Sequence, residues 1–158
     1  MTTRTYGDYE PTLSEFKAHI RLTTSDMDED LRLKLLAAIR SAEHYIGAVI
    51  AQSGFVYTGP YVKTFALEAP VLGVTGVEVD GVVLSSADWS LSGNTLTIGV
   101  EGTTMRVSYS AGMAFVDPDI KAAVLLHAAA LFNNPVDSVE TLPKASSRLL
   151  DPYRTWGV

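Results

Sequence analysis

The 158-residue chain contains no cysteine. Disulfide bridges, thiolate metal sites and cysteine nucleophiles are therefore excluded. Charge is also sparse, at 19 % of residues against roughly 25 % in ordinary soluble domains. A surface short of charge is partly meant for other molecules rather than water. Positive charge is the scarcer sign, with 12 Lys and Arg against 18 Asp and Glu and a formal net charge of −6. That balance argues against a basic grip on DNA or on an anionic membrane. No apolar run reaches the ~18 residues of a membrane span. Met1 to Glu10 is polar and lacks the apolar centre of a secretory signal. A soluble product made in the cytoplasm is the expectation.

Catalytic signatures are missing as well. The histidines are His19, His44 and His127, with no pair at metal-ligand spacing and no HExxH. No GxSxG elbow occurs, and the glycines follow neither Walker nor dinucleotide-binding spacing. Glu68 and Asp80 belong to no shared pattern. Asp26, Asp28 and Asp30 begin like a calcium loop, but Leu31 stands where the loop needs glycine and Ala37 where it needs a bidentate glutamate. These acids suit the positive end of a helix instead. No catalytic residue, metal or cofactor is expected, and the chain is not read as an enzyme.

What is present is a long helical stretch between Asp26 and Gln52. Leu31, Leu35, Ala38, Ile39, Ala42, Ile46, Val49 and Ile50 recur at helical spacing and share one face. Ser25 or Asp26 is expected to cap it, and Gly54 to follow its end. Thr12 and Glu15 have capping-box spacing ahead of Leu13, Phe16 and Ile20, which predicts a short helix. After Gly54 the period changes. Tyr61 to Leu67 reads as a strand, Asp80-Gly81 and Gly93-Asn94 as hairpin turns, and Met105 to Tyr109 as a further strand. Helical spacing returns after Asp117-Pro118, where Ile120, Ala123, Val124, His127, Ala128 and Leu131 share a face. Val136 to Leu142 reads as a loop, and Pro143 opens a short helix to about Leu150.

The expected fold is α+β and mainly helical. It is one domain over residues 1–158, a small helical bundle (12–54 and 117–151) built on the long helix 26–52. An antiparallel β-hairpin sheet (55–116) is inserted in it. Residues 1–11 are expected to form an arm without its own core, and 152–158 a tail. Tyr153, Arg154 and Trp156 in that tail are residue types enriched at binding hot spots. The tail either folds back on its own bundle or docks on another chain. His127, on an apolar face, is a core or an interface histidine. With Leu131 it marks a candidate inter-subunit helix face.

The order of elements and several local sequences resemble the head-tail connector (adaptor) proteins of long-tailed bacteriophages. Leu13-Ser14-Glu15-Phe16-Lys17-Ala18-His19-Ile20-Arg21-Leu22 is similar to the family's opening pattern. Ala69-Pro70-Val71 leading to Val77-Glu78-Val79-Asp80-Gly81 is similar to its central stretch. Val107-Ser108-Tyr109-Ser110-Ala111-Gly112 and Asp117-Pro118-Asp119-Ile120-Lys121-Ala122-Ala123-Val124 resemble its later signature. The likeness runs from about Leu13 to Asn134. Phe132-Asn133-Asn134-Pro135 departs from it, lacking the charges that often end the family's third helix.

The resemblance implies a structural virion protein at the head-tail interface. It implies a ring of about a dozen copies, closed by heterologous contacts, under the portal of the DNA-filled head. It further implies a platform for a tail-side head-completion or tail terminator protein, with the C-terminal segment reaching the portal. DNA would pass through without specific binding, and no membrane is involved. The alternative expectation is a non-viral binding module that recognises a ligand or peptide through the β insert.

Overall fold

A computed structural model describes residues 1–134 and 142–155. The chain forms two compact units, Met1–Asp8 with Ala51–Ala114 and Tyr9–Ile50 with Phe115–Val158.

The first unit is all β. A five-stranded antiparallel sheet has the order β1-β2-β8-β4-β5, from β1 (Thr2–Tyr6), β2 (Ser53–Pro60), β8 (Thr104–Ala111), β4 (Val71–Val79) and β5 (Val82–Val83). A three-stranded sheet has the order β3-β7-β6, from β3 (Thr64–Ala66), β7 (Thr95–Ile98) and β6 (Trp89–Ser92). Alternation fixes which face is buried. Met105, Val107, Tyr109 and Ala111 of β8 are buried, while Arg106, Ser108 and Ser110 face outward. Phe55 of β2 stacks on Tyr109, with ring centroids 5.2 Å apart. Leu96 and Ile98 of β7 are fully buried.

Both expected hairpins form, with Val79 opposite Val82 and Ser92 opposite Thr95. Asp80 and Gly81 have φ +49° and +81°, the left-handed pair that a tight two-residue turn requires. The Asp80 carboxylate also accepts hydrogen bonds from the backbone amides of Thr103 and Thr104 and from the Thr104 hydroxyl. The turn is thereby tied to the start of β8.

The second unit is helical, with α1 (Leu13–His19), α2 (Asp28–Ile46), α3 (Pro118–Asn133) and α4 (Lys144–Leu150), followed by a 3-10 turn at Asp151–Tyr153. Thr12 caps α1 as its spacing predicts, its hydroxyl accepting from the Glu15 amide at 3.2 Å. Leu31, Leu35, Ala38, Ile39, Ala42 and Ile46 of α2 are buried. They meet Ile120, Ala123, Val124 and Ala128 of α3, Phe16 of α1 and Leu150 of α4 in one helical core. Small side chains let α4 approach α3 closely. The buried Ser146 hydroxyl donates to the Ala123 carbonyl at 2.9 Å. Lys121 sits between Glu10 and Glu15 at 3.3 and 3.5 Å.

Four expectations are corrected. The fold is a balanced α+β mix, 35 % helix and 29 % strand, rather than mainly helical. Residues 2–6, expected in an arm without its own core, form the edge strand β1 in full register with β2. Their Thr- and Tyr-rich sequence suits a strand, but without alternation of apolar residues there was no periodic signal. The long helix spans Asp28–Ile46, not 26–52. Met27 is its N-cap with no side-chain bond, and Gly47 ends it at φ +76°. Val49 and Ile50 stay buried outside the helix, where Glu43 accepts from the Ile50 amide at 2.9 Å. Gly54, expected as the helix end, lies in β2. Of the expected loop at Val136 to Leu142, only Leu142 lies among the described residues.

The Asp80 clamp has a pH signature. Hydrogen bonds from Thr104 and Thr103 hold its carboxyl below the ordinary carboxylate range, outweighing desolvation. A depressed acid stabilises the fold above its unfolded pKa and loses that contribution as pH falls through the folded pKa. Asp80→Asn is therefore expected to lower the thermal midpoint at about pH 7 and to leave a shallower loss below about pH 4 than wild type shows. Calorimetry across that range checks both.

Candidate functional site

The most apolar of the partly exposed elements is α3. From Ala122 through Asn134 it contains no charged residue. Its inner face, Ile120, Ala123, Val124, His127 and Ala128, is buried. Its other side is not polar, as it would be on a solvated helix. Ala122, Leu125, Leu126, Ala129, Ala130, Leu131 and Phe132 are all only half-buried. The helix is apolar all round and covered on one side. A second apolar exposure lies on α2, where Leu33 is 69 % exposed and Ala37 is exposed one turn on. Leu33 is rimmed by the Arg32–Glu29 and Lys34–Asp30 ion pairs. An apolar centre with a charged rim is the anatomy of a protein interface.

The two residues expected on the inter-subunit face separate. Leu131 is half-buried and accessible. His127 is only 4 % exposed, so it belongs to the core and does not present itself to a neighbour. Neither ring nitrogen has a hydrogen-bond partner. Burial alone pushes the imidazole pKa below 6.5, because an apolar site penalises the charged form.

The tail folds back as far as it is described. The Tyr45 hydroxyl donates to the Asp151 carboxylate, and the Arg154 guanidinium lies 4.7 Å from the centroid of the Tyr45 ring. The Thr155 amide and hydroxyl both donate to the Ile46 carbonyl, each at 2.9 Å. Gly47 makes this possible, since a side chain there would collide with the Thr155 hydroxyl. Tyr153 is half-buried, and desolvation and a hydrogen bond to Asp117 raise its pKa. So Tyr153 and Arg154 lie along the ends of α2 and α3, and of the two alternatives for the tail, residues 151–155 take the first. Trp156 lies outside the described residues.

Among the described residues no cluster of His, Asp and Glu could hold a metal ion. His19 and His44 are exposed, and His44 lies 3.2 Å from Arg40. One open groove of about 450 Å³ runs beside α1, lined by Leu13, Lys17, Leu22 and Asp28. Its charges pair with each other, Lys17 to Asp28 at 2.8 Å. No helix among the described residues is long and apolar enough to cross a membrane. Sequence reasoning missed the outward side of α3 because it sought the face that the helix buries. The uncharged run itself was the available signal.

No family model and no curated protein matches this chain. Its fold is nevertheless that of solved chains. The neck of a native GTA particle computed with C12 symmetry contains a chain similar to it at TM-score 0.75 and 20 % identity. A chain in the virion of a native gene transfer agent particle is similar at 0.73 and 22 %. A chain in the neck of an empty GTA particle computed with C6 symmetry is similar at 0.72 and 23 %. Each likeness covers 99 % of this chain and 97 % of the other.

The buried imidazole gives a test of the helical core. A histidine whose folded pKa lies below its unfolded one stabilises fully above about 6.5. As pH falls through that value the unfolded state takes up the proton first, and stability drops by at most about 1.4 kcal/mol per pH unit. His127→Leu is expected to abolish that part of the slope and to raise the thermal midpoint at about pH 5.5 above that of wild type. The helical circular dichroism signal reports it.

Proposed function

We propose that this protein is a structural component of the neck of a phage-like particle, a connector that joins a DNA-filled head to its tail. The observation that carries the reading is the end-to-end likeness to neck chains, one of them in a particle computed with twelvefold symmetry. The surfaces agree with it. A rotational ring needs two different complementary patches on each copy. The outer side of α3, with Leu131, and the exposed Leu33 side of α2 supply two apolar patches.

In this reading copies stand side by side under the portal as a ring of about a dozen, and no catalysis is involved. The net charge of −6 per copy favours a lumen that repels DNA and lets it pass without specific binding. Tyr153, Arg154 and Trp156 form the portal contact. Anchoring of residues 151–155 on α2 holds that segment ready and limits the ordering cost of docking. The opposite side of the ring receives a tail-side head-completion or tail terminator protein.

A charge placed on the uncovered side of α3 tests the reading. Leu131→Glu and Leu125→Glu are expected to leave the far-UV circular dichroism spectrum unchanged, since neither side chain belongs to the fully buried core. They are expected to prevent ring formation on portal-bearing, tailless heads, as seen by electron microscopy. Rings that form normally with both substitutions in place contradict it.

A further inference from the structure

β1 closes one side of the five-stranded sheet, and no further strand among the described residues pairs with it. Natural edge strands are blunted by lysine, proline, bulges, inward-pointing charges or brevity. The opposite side of this sheet has such devices. β5 is two residues long, and β4 carries two register shifts, between Val71 and Gly73 and between Val74 and Gly76. β1 has no lysine, proline or bulge. Its five residues, Thr-Thr-Arg-Thr-Tyr, pair with β2 without a shift. The one charge on it, Arg4, is drawn back over its own sheet. Its guanidinium donates to the Ser53 hydroxyl and the Ala51 carbonyl and lies 4.3 Å from the Tyr6 ring centroid.

The hydrogen-bond phase shows what the open edge offers. Met1 and Thr58 exchange both backbone bonds, and the Gly7 amide donates to the Gln52 carbonyl. In an antiparallel pair the bonded positions alternate, so Met1, Thr3, Thr5 and Gly7 face β2. Thr2 and Tyr6 therefore aim their amides and carbonyls away from the sheet. Both residues are exposed, Tyr6 at 37 %. A shallow groove of about 440 Å³ continues from the strand's end, lined by Thr5, Tyr6, Asp8, Gln52, Leu72 and Ser110.

We propose that β1 is a strand-addition site, which takes up an extended segment of a different protein as the sixth strand of this sheet. Donors and acceptors at strand spacing are complementary only to an extended backbone. The described residues offer no long, unbroken edge to match it. β1 laid antiparallel in full overlap on a second β1 sets Arg4 against Arg4, a destabilising like-charge pair. The other edges are β3, β5 and β6, three, two and four residues long, and the part of β4 that β5 leaves uncovered, which its register shifts interrupt. The incoming segment alternates, with apolar side chains beside the Tyr6 ring on the inner face and polar ones beside Thr3 and Thr5 on the outer. The inference rests on the neck reading only for the choice of probe.

Residue-resolved hydrogen exchange on the full chain tests it, alone and after mixing with two probes, portal-bearing heads and purified tails. The Thr2 and Tyr6 amides are expected to exchange fast in the free protein and at least about tenfold more slowly with one probe. Thr2→Pro removes an outward donor and spares the β1–β2 bonds, as proline can on an edge. It is expected to weaken that docking by about tenfold, the loss of one hydrogen bond, with the free protein's thermal midpoint unchanged. If both probes bind and neither slows those amides, the inference falls and the neck reading stands. If neither probe binds, both fall. Slowing that appears on concentrating the free protein alone identifies a second copy as the occupant and also overturns it.

Discussion

The structure depends on covering α3. Thirteen consecutive residues, Ala122 to Asn134, carry no charge, and a helix of that kind has no stable place in water. One side is met by α2, whose Leu31, Leu35, Ala38, Ile39, Ala42 and Ile46 line up against it, and by α4 through Ser146 and Leu150. The rest of the helical unit follows from this packing. Gly47 ends α2 in a left-handed turn that leaves room for Thr155. Asp151 and Arg154 then fasten the last described turn to Tyr45. His127 lies inside the packing without a partner, which only a site closed to water and kept near neutral pH tolerates. The cover is one-sided, and the other side stays half-buried.

The β unit solves a different problem. A sheet exposes two edges, and here the two are treated differently. At the β4–β5 edge, bulges and a two-residue strand discourage pairing, and the Asp80 carboxylate holds the turn to Thr103 and Thr104. At the β1 edge the register is unbroken. A sheet built for stability alone would protect both. One edge is interrupted and the other is regular.

Much of this was legible in the sequence, and the physical reasons are particular. Asp80-Gly81 allows few turns other than the one found, because both residues must take positive φ. Thr12 with Glu15 located the start of α1, and Pro118 the start of α3, through groups that helix ends require. The limits of α2 were harder. Apolar spacing continues through Val49 and Ile50, and burial, which periodicity reports, persists there after the helix stops at Gly47. β1 was invisible because a five-residue edge strand needs no apolar alternation, only a neighbour to bond. The two residues of the candidate face part company. Leu131 keeps its accessible place, whereas His127 is drawn into the core, since sequence spacing cannot tell which side of an apolar helix its own chain will claim.

The central claim is that the uncovered side of α3 is buried by a neighbouring copy. Electron cryomicroscopy of the assembled neck, reconstructed at side-chain resolution, measures this directly. The account predicts a closed ring in which Ala122, Leu125, Leu126 and Ala129 of each copy lose their remaining exposure against the next. A ring joined through other surfaces, with that side of α3 still open to water, would contradict it.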